Sequence, residues 1–227
     1  MLRPSFFSLK QKKINLTSDK DKNFRFPLSV FANQMYAVYK KQDEAFANAN
    51  GGIVWARDDV ILEKTVTKKY ICSSYEEFWR RYSQMSDDER HHYELIRGPC
   101  HPYFDVEYKY KKEDDMKEKF GDVSCALFDF INEVKKMCIE CEFANKIDLL
   151  MLDSSNEIKF SKHLIFKMYM NDTPVMLKSN TECSTLLALV RRDWNDEYKM
   201  VDDTVYTKNR LFRLIGMCLF LSFPDSQ

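Results

Sequence analysis

An α+β fold is predicted by three features of the 227-residue sequence. Short runs of alternating or β-branched residues are bounded by turn residues. Two longer stretches place apolar residues at helical spacing, and strand and helix signals alternate through the second half in one particular order. A hydrophobic share of 44% with 14% aromatic residues can supply a buried core, and these aromatics exclude a disordered chain.

Residues 1–27 are read as a basic arm. Met1 to Leu16 holds no acidic residue and includes Phe6, Phe7 and Leu9, a pattern that also suits a weak mitochondrial presequence, and the arm is the reading taken. An αβ module follows over 28–98. Val30, Phe31, Met35, Val38 and Tyr39 fit one face of a helix over Leu28 to Lys41. Asn48 to Gly52 is a turn, Ile53 to Ala56 a short buried strand, and Thr65 to Cys72 a second strand. Ser73 and Ser74 offer a cap for a helix from Tyr75 to about Met85, with Glu76 and Glu77 in its first turn. Tyr93 to Arg97 is a third strand, broken by Gly98-Pro99.

Residues 99–215 form the second module. His101 to Tyr110 alternates as a strand, and Asp122 to Phe143 carries the helical stripe Ala126, Phe130, Val134 and Met137. Asp148 to Leu152 and Lys159 to Met168 are strands joined by a polar turn, Thr181 to Trp194 is a helix, and Val201 to Ile215 supplies a turn and a last strand. This β-α-β-β-α-β order is the split βαβ of ferredoxin-like and RNA-recognition-motif folds. Residues 216–227 are read as a divergent apolar tail.

With 35 basic and 35 acidic residues the net charge is zero, so no whole-protein field favours nucleic acid or membrane. A nucleic-acid site must then be a local basic surface. No apolar run reaches the length of a membrane span, and no membrane partner is expected. The seven cysteines show no disulfide framework and read as reduced thiols. Cys138 and Cys141 form a CxxC, but no second pair follows at finger spacing, and the stretch reads as helix.

Three places carry chemistry. Asp105 and Glu107 alternate on one strand and so share a face, with Cα atoms about 6.5 Å apart. Carboxylates that close can converge on a divalent cation, or on the pair about 3.5–4 Å apart used in two-metal phosphoryl transfer. Two solvated carboxylates give the same pattern. Ser161 and His163 likewise share a face, with Lys159 adjacent. A hydroxyl, an imidazole and an ammonium suit triphosphate oxygens, and a histidine at a sheet edge is the bland counterpart. Asp202 and Asp203 precede the last strand, and one of the two is able to complete a carboxylate triad, with Arg210 and Arg213 able to hold phosphates; a capped turn before a surface cationic strand gives the same pattern.

In this order, Asp-x-Glu, Ser-x-His and a lone Asp resemble the three motifs of archaeo-eukaryotic primases. The flanks Tyr103 to Glu107, Leu152 to Ser155, Lys159 to Phe166 and Val205 to Arg210 resemble the eukaryotic primase-polymerases within that superfamily, as does Tyr70 to Trp79. The resemblance covers about residues 28 to 214. It implies a primase catalytic core, with metal-dependent, template-directed nucleotidyl transfer onto a primer 3′ end. It further implies Mn²⁺ or Mg²⁺ on Asp105, Glu107 and Asp202. By the same resemblance Lys159, Phe160, Ser161, Lys162 and His163 form the nucleotide-binding segment, helped by Arg210 and Arg213. Lys68 falls where the family has a basic residue that contacts nucleotide or template. DNA template-primer and dNTP or NTP are the implied partners, with a single-stranded DNA-binding protein for full-length members. Translesion synthesis and repriming in the nucleus and mitochondrial matrix are the implied setting.

Two departures shape the expectation. The family continues its last strand with a Lys/Ser-rich segment and carries a C-terminal zinc-binding domain needed for priming, whereas Ile215 to Gln227 is apolar and ends. Impaired priming with residual extension is therefore expected. The rival readings are a metal nuclease, a non-catalytic RNA-recognition-like binder with exposed sheet aromatics such as Tyr103 and Tyr108, a decayed polymerase, and a scaffold.

Overall fold

A computed structural model describes residues 16–18, 36–62, 65–86, 89–111, 113–196 and 199–214. In chain order its elements begin with β1 (Leu16–Ser18), β2 (Tyr36–Tyr39), α1 (Gln42–Ala47), β3 (Ile53–Leu62), β4 (Thr65–Ser73), α2 (Tyr75–Tyr82) and β5 (His92–Ile96). There follow β6 (Tyr103–Lys109), α3 (Glu113–Glu140), β7 (Lys146–Asp153), β8 (Lys159–Met170), β9 (Thr173–Leu177), α4 (Asn180–Asp193), β10 (Val201–Asp202) and β11 (Arg210–Arg213). The chain is mixed α+β with antiparallel sheets. It divides into two compact units, one holding the described residues among 1–23 and 97–208, the other those among 24–96 and 209–227.

The first unit is built on a sheet in which β6 lies between β10 and β8, and β7 flanks β8 on its other side, all antiparallel. With α3 and α4 as crossovers, the order β10-β6-β8-β7 is the split βαβ arrangement. β9 pairs with the C-terminal end of β8 on the side opposite β7, and β1 pairs with β9. Period-two alternation divides the faces. Phe104 and Val106 on β6 and Phe160, Leu164, Phe166 and Met168 on β8 are all buried. Phe104 meets Phe130 of α3 edge-on at 5.1 Å and Phe166 of β8 at 5.6 Å, which secures α3 on this face. The buried stripe of α3, Val123, Leu127, Phe130, Ile131, Val134 and Met137, follows helical spacing. Tyr103, Asp105, Glu107, Ser161 and His163 alternate to the other face.

The second unit is a five-stranded antiparallel sheet ordered β11-β5-β3-β4-β2. On one face Ala45 of α1 packs with Val54, Ala56, Cys72 and Leu95. On the other, Phe78 and Tyr82 of α2 pack with Trp55, Ile71 and Leu214. Trp55 stacks on Phe78 with centroids 3.9 Å apart. Ser74 caps α2 by accepting a hydrogen bond from the Glu77 amide at 3.2 Å.

Three expectations change. Tyr36–Tyr39 is a strand paired with β4 and not the end of a helix, because Tyr-Ala-Val-Tyr suits a pleated edge once β4 is beside it; residues 28–35 lie outside the described residues. The last strand expected within Val201 to Ile215 as part of the first sheet is instead β11, paired with β5 in the second. Phe212 and Leu214 are buried there, and the fourth place in the first sheet goes to the two-residue β10. A further strand, β9, returns from β8 through Asn171 and Asp172, whose φ values of 49° and 59° make the tight turn a two-residue hairpin requires. The apolar tail and the basic arm before Leu16 fall outside the described residues.

Candidate active site

The antiparallel register brings the three motifs into one row. Asp105 is the Cα partner of His163 on one side and of Asp202 on the other. Residues paired across adjacent strands point to the same face, so these three side chains line up on the face that α3 and α4 leave uncovered. One pleat along, Glu107 lies opposite Ser161, and Lys109 opposite Lys159. A groove of about 720 Å³ beside the row is lined by Glu107, Lys109, Met200 and Asp202, among others.

Each side chain has defined surroundings. His163 Nε2 lies 3.5 Å from Asp105 Oδ1, with both side chains 14% exposed. Glu107 forms an ion pair with Lys159, each about one-third exposed. Asp202 Oδ1 accepts a hydrogen bond from the Thr204 amide at 2.8 Å, which ends β10 in a turn. Its neighbour Asp203 is committed elsewhere, to Arg191 at 2.9 Å. Ser161 is buried: its Oγ accepts from the Ser154 hydroxyl at 2.9 Å, and Ser155 Oγ accepts from the Ser161 amide at 3.0 Å. That hydroxyl is occupied in holding the β7–β8 turn against β8.

Phe160 and Lys162 belong to the opposite face. Phe160 is 2% exposed and its ring lies 6.2 Å from that of Phe120 on α3. Lys162 pairs with Asp153 of β7. Burial alone would raise the Asp153 carboxyl, but the hydrogen bonds from Lys162 and from the Ser155 amide outweigh it and hold the pKa below the usual value. The five-residue segment Lys159 to His163 is therefore split, with Lys159, Ser161 and His163 on the Asp105 face and the other two beneath the sheet.

Nor do Tyr103 and Tyr108 form an exposed aromatic platform. Tyr103 is 2% exposed, donates its hydroxyl to the Val205 carbonyl at 3.2 Å, and accepts at its own carbonyl from Tyr206 at 3.0 Å. Tyr108 alternates to the helix-packed face, where its ring meets Tyr110 and its hydroxyl accepts from Lys119 of α3.

The chain resembles two named polymerases. It is 32% identical over 100 residues, 43% of its length, to the DNA-directed primase/polymerase protein of Gallus gallus. To the protein of the same name from Danio rerio it is 29% identical over 186 residues, 64% of its length. These matches span 17% and 35% of the two relatives, so the chain covers well under half of either. No protein-family profile matches the sequence. A distant relationship to the DNA-directed primase/polymerases is what these findings support.

The three carboxylates offer hard oxygen donors, the chemistry Mg²⁺ and Mn²⁺ take. Asp105 and Asp202 are cross-strand neighbours, and Glu107 is one pleat away. Among the described residues no group of three or more His, Cys, Asp or Glu side chains is gathered at coordinating range, Cys138 and Cys141 included. The three carboxylates fit such a cation in the chemistry of their donors, and in this structure Glu107 is paired with Lys159.

Lys68, Arg210 and Arg213 belong to the second unit. Lys68 pairs with Asp58 at 2.5 Å and lies over the Tyr93 ring at 4.0 Å, while the Tyr93 hydroxyl donates to Asp58 at 2.8 Å. Burial raises the Asp58 carboxyl, and these two hydrogen bonds reverse that and lower it. Arg210 and Arg213 are the first and last residues of β11, opposite Ile96 and Tyr93. Lys109 belongs to none of the three motifs, and Ser154 and Ser155 have a place in the sequence only within the flank Leu152 to Ser155. Lys109 was legible as the next same-face position after Glu107, and the serines as the turn before the Ser-x-His strand. Among the described residues no helix is long and apolar enough to cross a membrane.

Proposed function

We propose that this chain carries the core of a divalent-cation-dependent nucleotidyl transferase that extends a primer 3′ end on a DNA template, with dNTP or NTP as substrate. The observation that supports it most is the register that sets Asp105 between His163 and Asp202, with Glu107 and Lys159 one pleat on. The similarity to proteins named DNA-directed primase/polymerase points the same way. In this reading the uncovered face is that of a primase catalytic core.

When bound, Mn²⁺ or Mg²⁺ supplies charge stabilisation at the reacting phosphoryl oxygens. Asp105, Asp202 and Glu107 are the residues proposed to hold it. His163, held at the Asp105 carboxylate, presents its ring to the triphosphate as a hydrogen-bond donor, and Lys159 offsets phosphate charge. Ser161 acts one step back: its bonds to Ser154 and Ser155 fix the strand on which His163 sits. Lys68, Arg210 and Arg213 are proposed contacts to nucleotide or template. Translesion synthesis or repriming in nucleus or mitochondrion would be the setting, as the resemblance to the eukaryotic primase-polymerases implies.

The test is primer extension on a defined template with the purified chain, with and without Mn²⁺. Template-coded addition of nucleotides that requires the cation supports the reading. Cation-dependent cleavage without nucleotide dependence would replace it with a nuclease, and nucleic-acid binding with neither activity would leave a binding module.

A further inference from the structure

We infer that Lys109 and Lys159 form an anion clamp that is armed when a divalent cation takes Glu107, so that cation and triphosphate bind cooperatively. The inference rests on the proposed nucleotidyl-transfer site and adds to it a residue, Lys109, and a coupling. Lys109 and Lys159 are Cα partners on β6 and β8, which makes them cross-strand neighbours on the uncovered face. Like charges directly opposite each other repel. Lys159 is relieved by turning back along the strand to Glu107. Lys109 is exposed and lines the same groove as Glu107 and Asp202, and no carboxylate pairs with it among the described residues.

The arrangement has two consistent states. Without cation, Glu107 neutralises Lys159, and the pair presents little net charge to an anion. With a cation on Asp105, Asp202 and Glu107, the Lys159 ammonium loses its counter-ion and stands beside Lys109. Two uncompensated ammonium groups across one strand spacing then suit a polyphosphate tail, whose charge both would offset. Each ligand makes the other's site, and by linkage the coupling is reciprocal. A cation alone must displace an ion pair and binds weakly, and a triphosphate alone meets a neutralised lysine.

Mn²⁺ binding, followed by electron paramagnetic resonance without nucleotide, separates the possibilities. Lys159→Met should tighten Mn²⁺ binding about threefold, the scale of one partly exposed ion pair. Lys159→Arg keeps the pair and should leave the affinity near that of the parent. Lys109→Met removes a charge of the same sign but no partner of Glu107, and should tighten Mn²⁺ by less than twofold. At saturating Mn²⁺, both methionine variants should weaken binding of dATP by about tenfold, the loss of one charge-assisted contact. Equal tightening by Lys159→Met and Lys109→Met would mean a general field effect and overturn the clamp, as would dATP affinity indifferent to Lys109. If Asp105→Asn leaves Mn²⁺ binding untouched, the proposed site itself fails. If Asp105→Asn abolishes it while Lys159→Met does nothing, only the clamp fails.

Discussion

Replacing Ser161 by alanine separates a residue that touches ligand from one that holds the strand. Ser161 is 2% exposed, and its Oγ accepts from Ser154 Oγ at 2.9 Å. Loss of that oxygen leaves the Ser154 hydroxyl in a half-buried site without its acceptor, and a cavity smaller than a water. Such losses cost about 1–2 kcal/mol. For a protein of this size that corresponds to a fall in Tm of roughly 2–8 °C. Ser154→Ala should cost a similar amount, and the double variant little more than either single one, since both remove the same bond; the expected coupling is about 1 kcal/mol. Thermal melts of the four proteins give the cycle, and dATP binding in Mn²⁺ supplies the second axis. Ser161→Ala should weaken dATP only about two- to threefold, through a less firmly held His163. An unchanged Tm with dATP affinity lost by a hundredfold would refute this and show that the hydroxyl faces the triphosphate.

Two further outcomes follow from the packing. His92 is 2% exposed between Phe78 and Tyr82, and burial, then the nearby Arg57 charge, push its pKa down from 6.5 to about 4. The ring is neutral when folded and protonates more readily when unfolded. Stability is thus full above about pH 6.5, falls as the pH drops toward 4, and levels off below, by up to about 3 kcal/mol. His92→Phe should flatten that limb, read by fluorescence of Trp55 and Trp79 in the same unit, and an identical acid limb in the variant would contradict the assignment. Phe104→Ala, beneath Asp105's strand and fully buried against Phe130 and Phe166, should cost about 3–5 kcal/mol. A loss under about 1 kcal/mol in a urea titration would show that the aromatic core is not where the sheet is secured.

Much of the site was legible because strand alternation is a local property. Asp105 with Glu107, and Ser161 with His163, share a face by spacing alone, and the β-α-β-β-α-β order is carried by long periodic segments. The same period of two already separates Phe160 and Lys162 from their neighbours, which a contiguous motif conceals. Other features depend on pairings across the chain. The fourth strand is two residues long and exists because Val201 and Asp202 meet β6, while Arg210 to Arg213 finds its partner in β5. Two residues carry no periodic signal. The Lys159–Glu107 pair depends on a register joining strands 52 positions apart. β9 did have a signal, Asn171-Asp172 between two strand-forming runs, beyond the Met168 at which the expected strand ends.

The most direct measurement compares adjacent carboxylates in Mn²⁺-dependent primer extension. Asp202 stands in the row with Asp105 and His163, whereas Asp203, the next residue, is turned to Arg191. The account predicts that Asp105→Asn and Asp202→Asn each lower the extension rate by at least about a hundredfold with Tm preserved, while Asp203→Asn lowers it less than about threefold. Extension that survives Asp105→Asn, or that is lost equally with Asp202→Asn and Asp203→Asn, would contradict it.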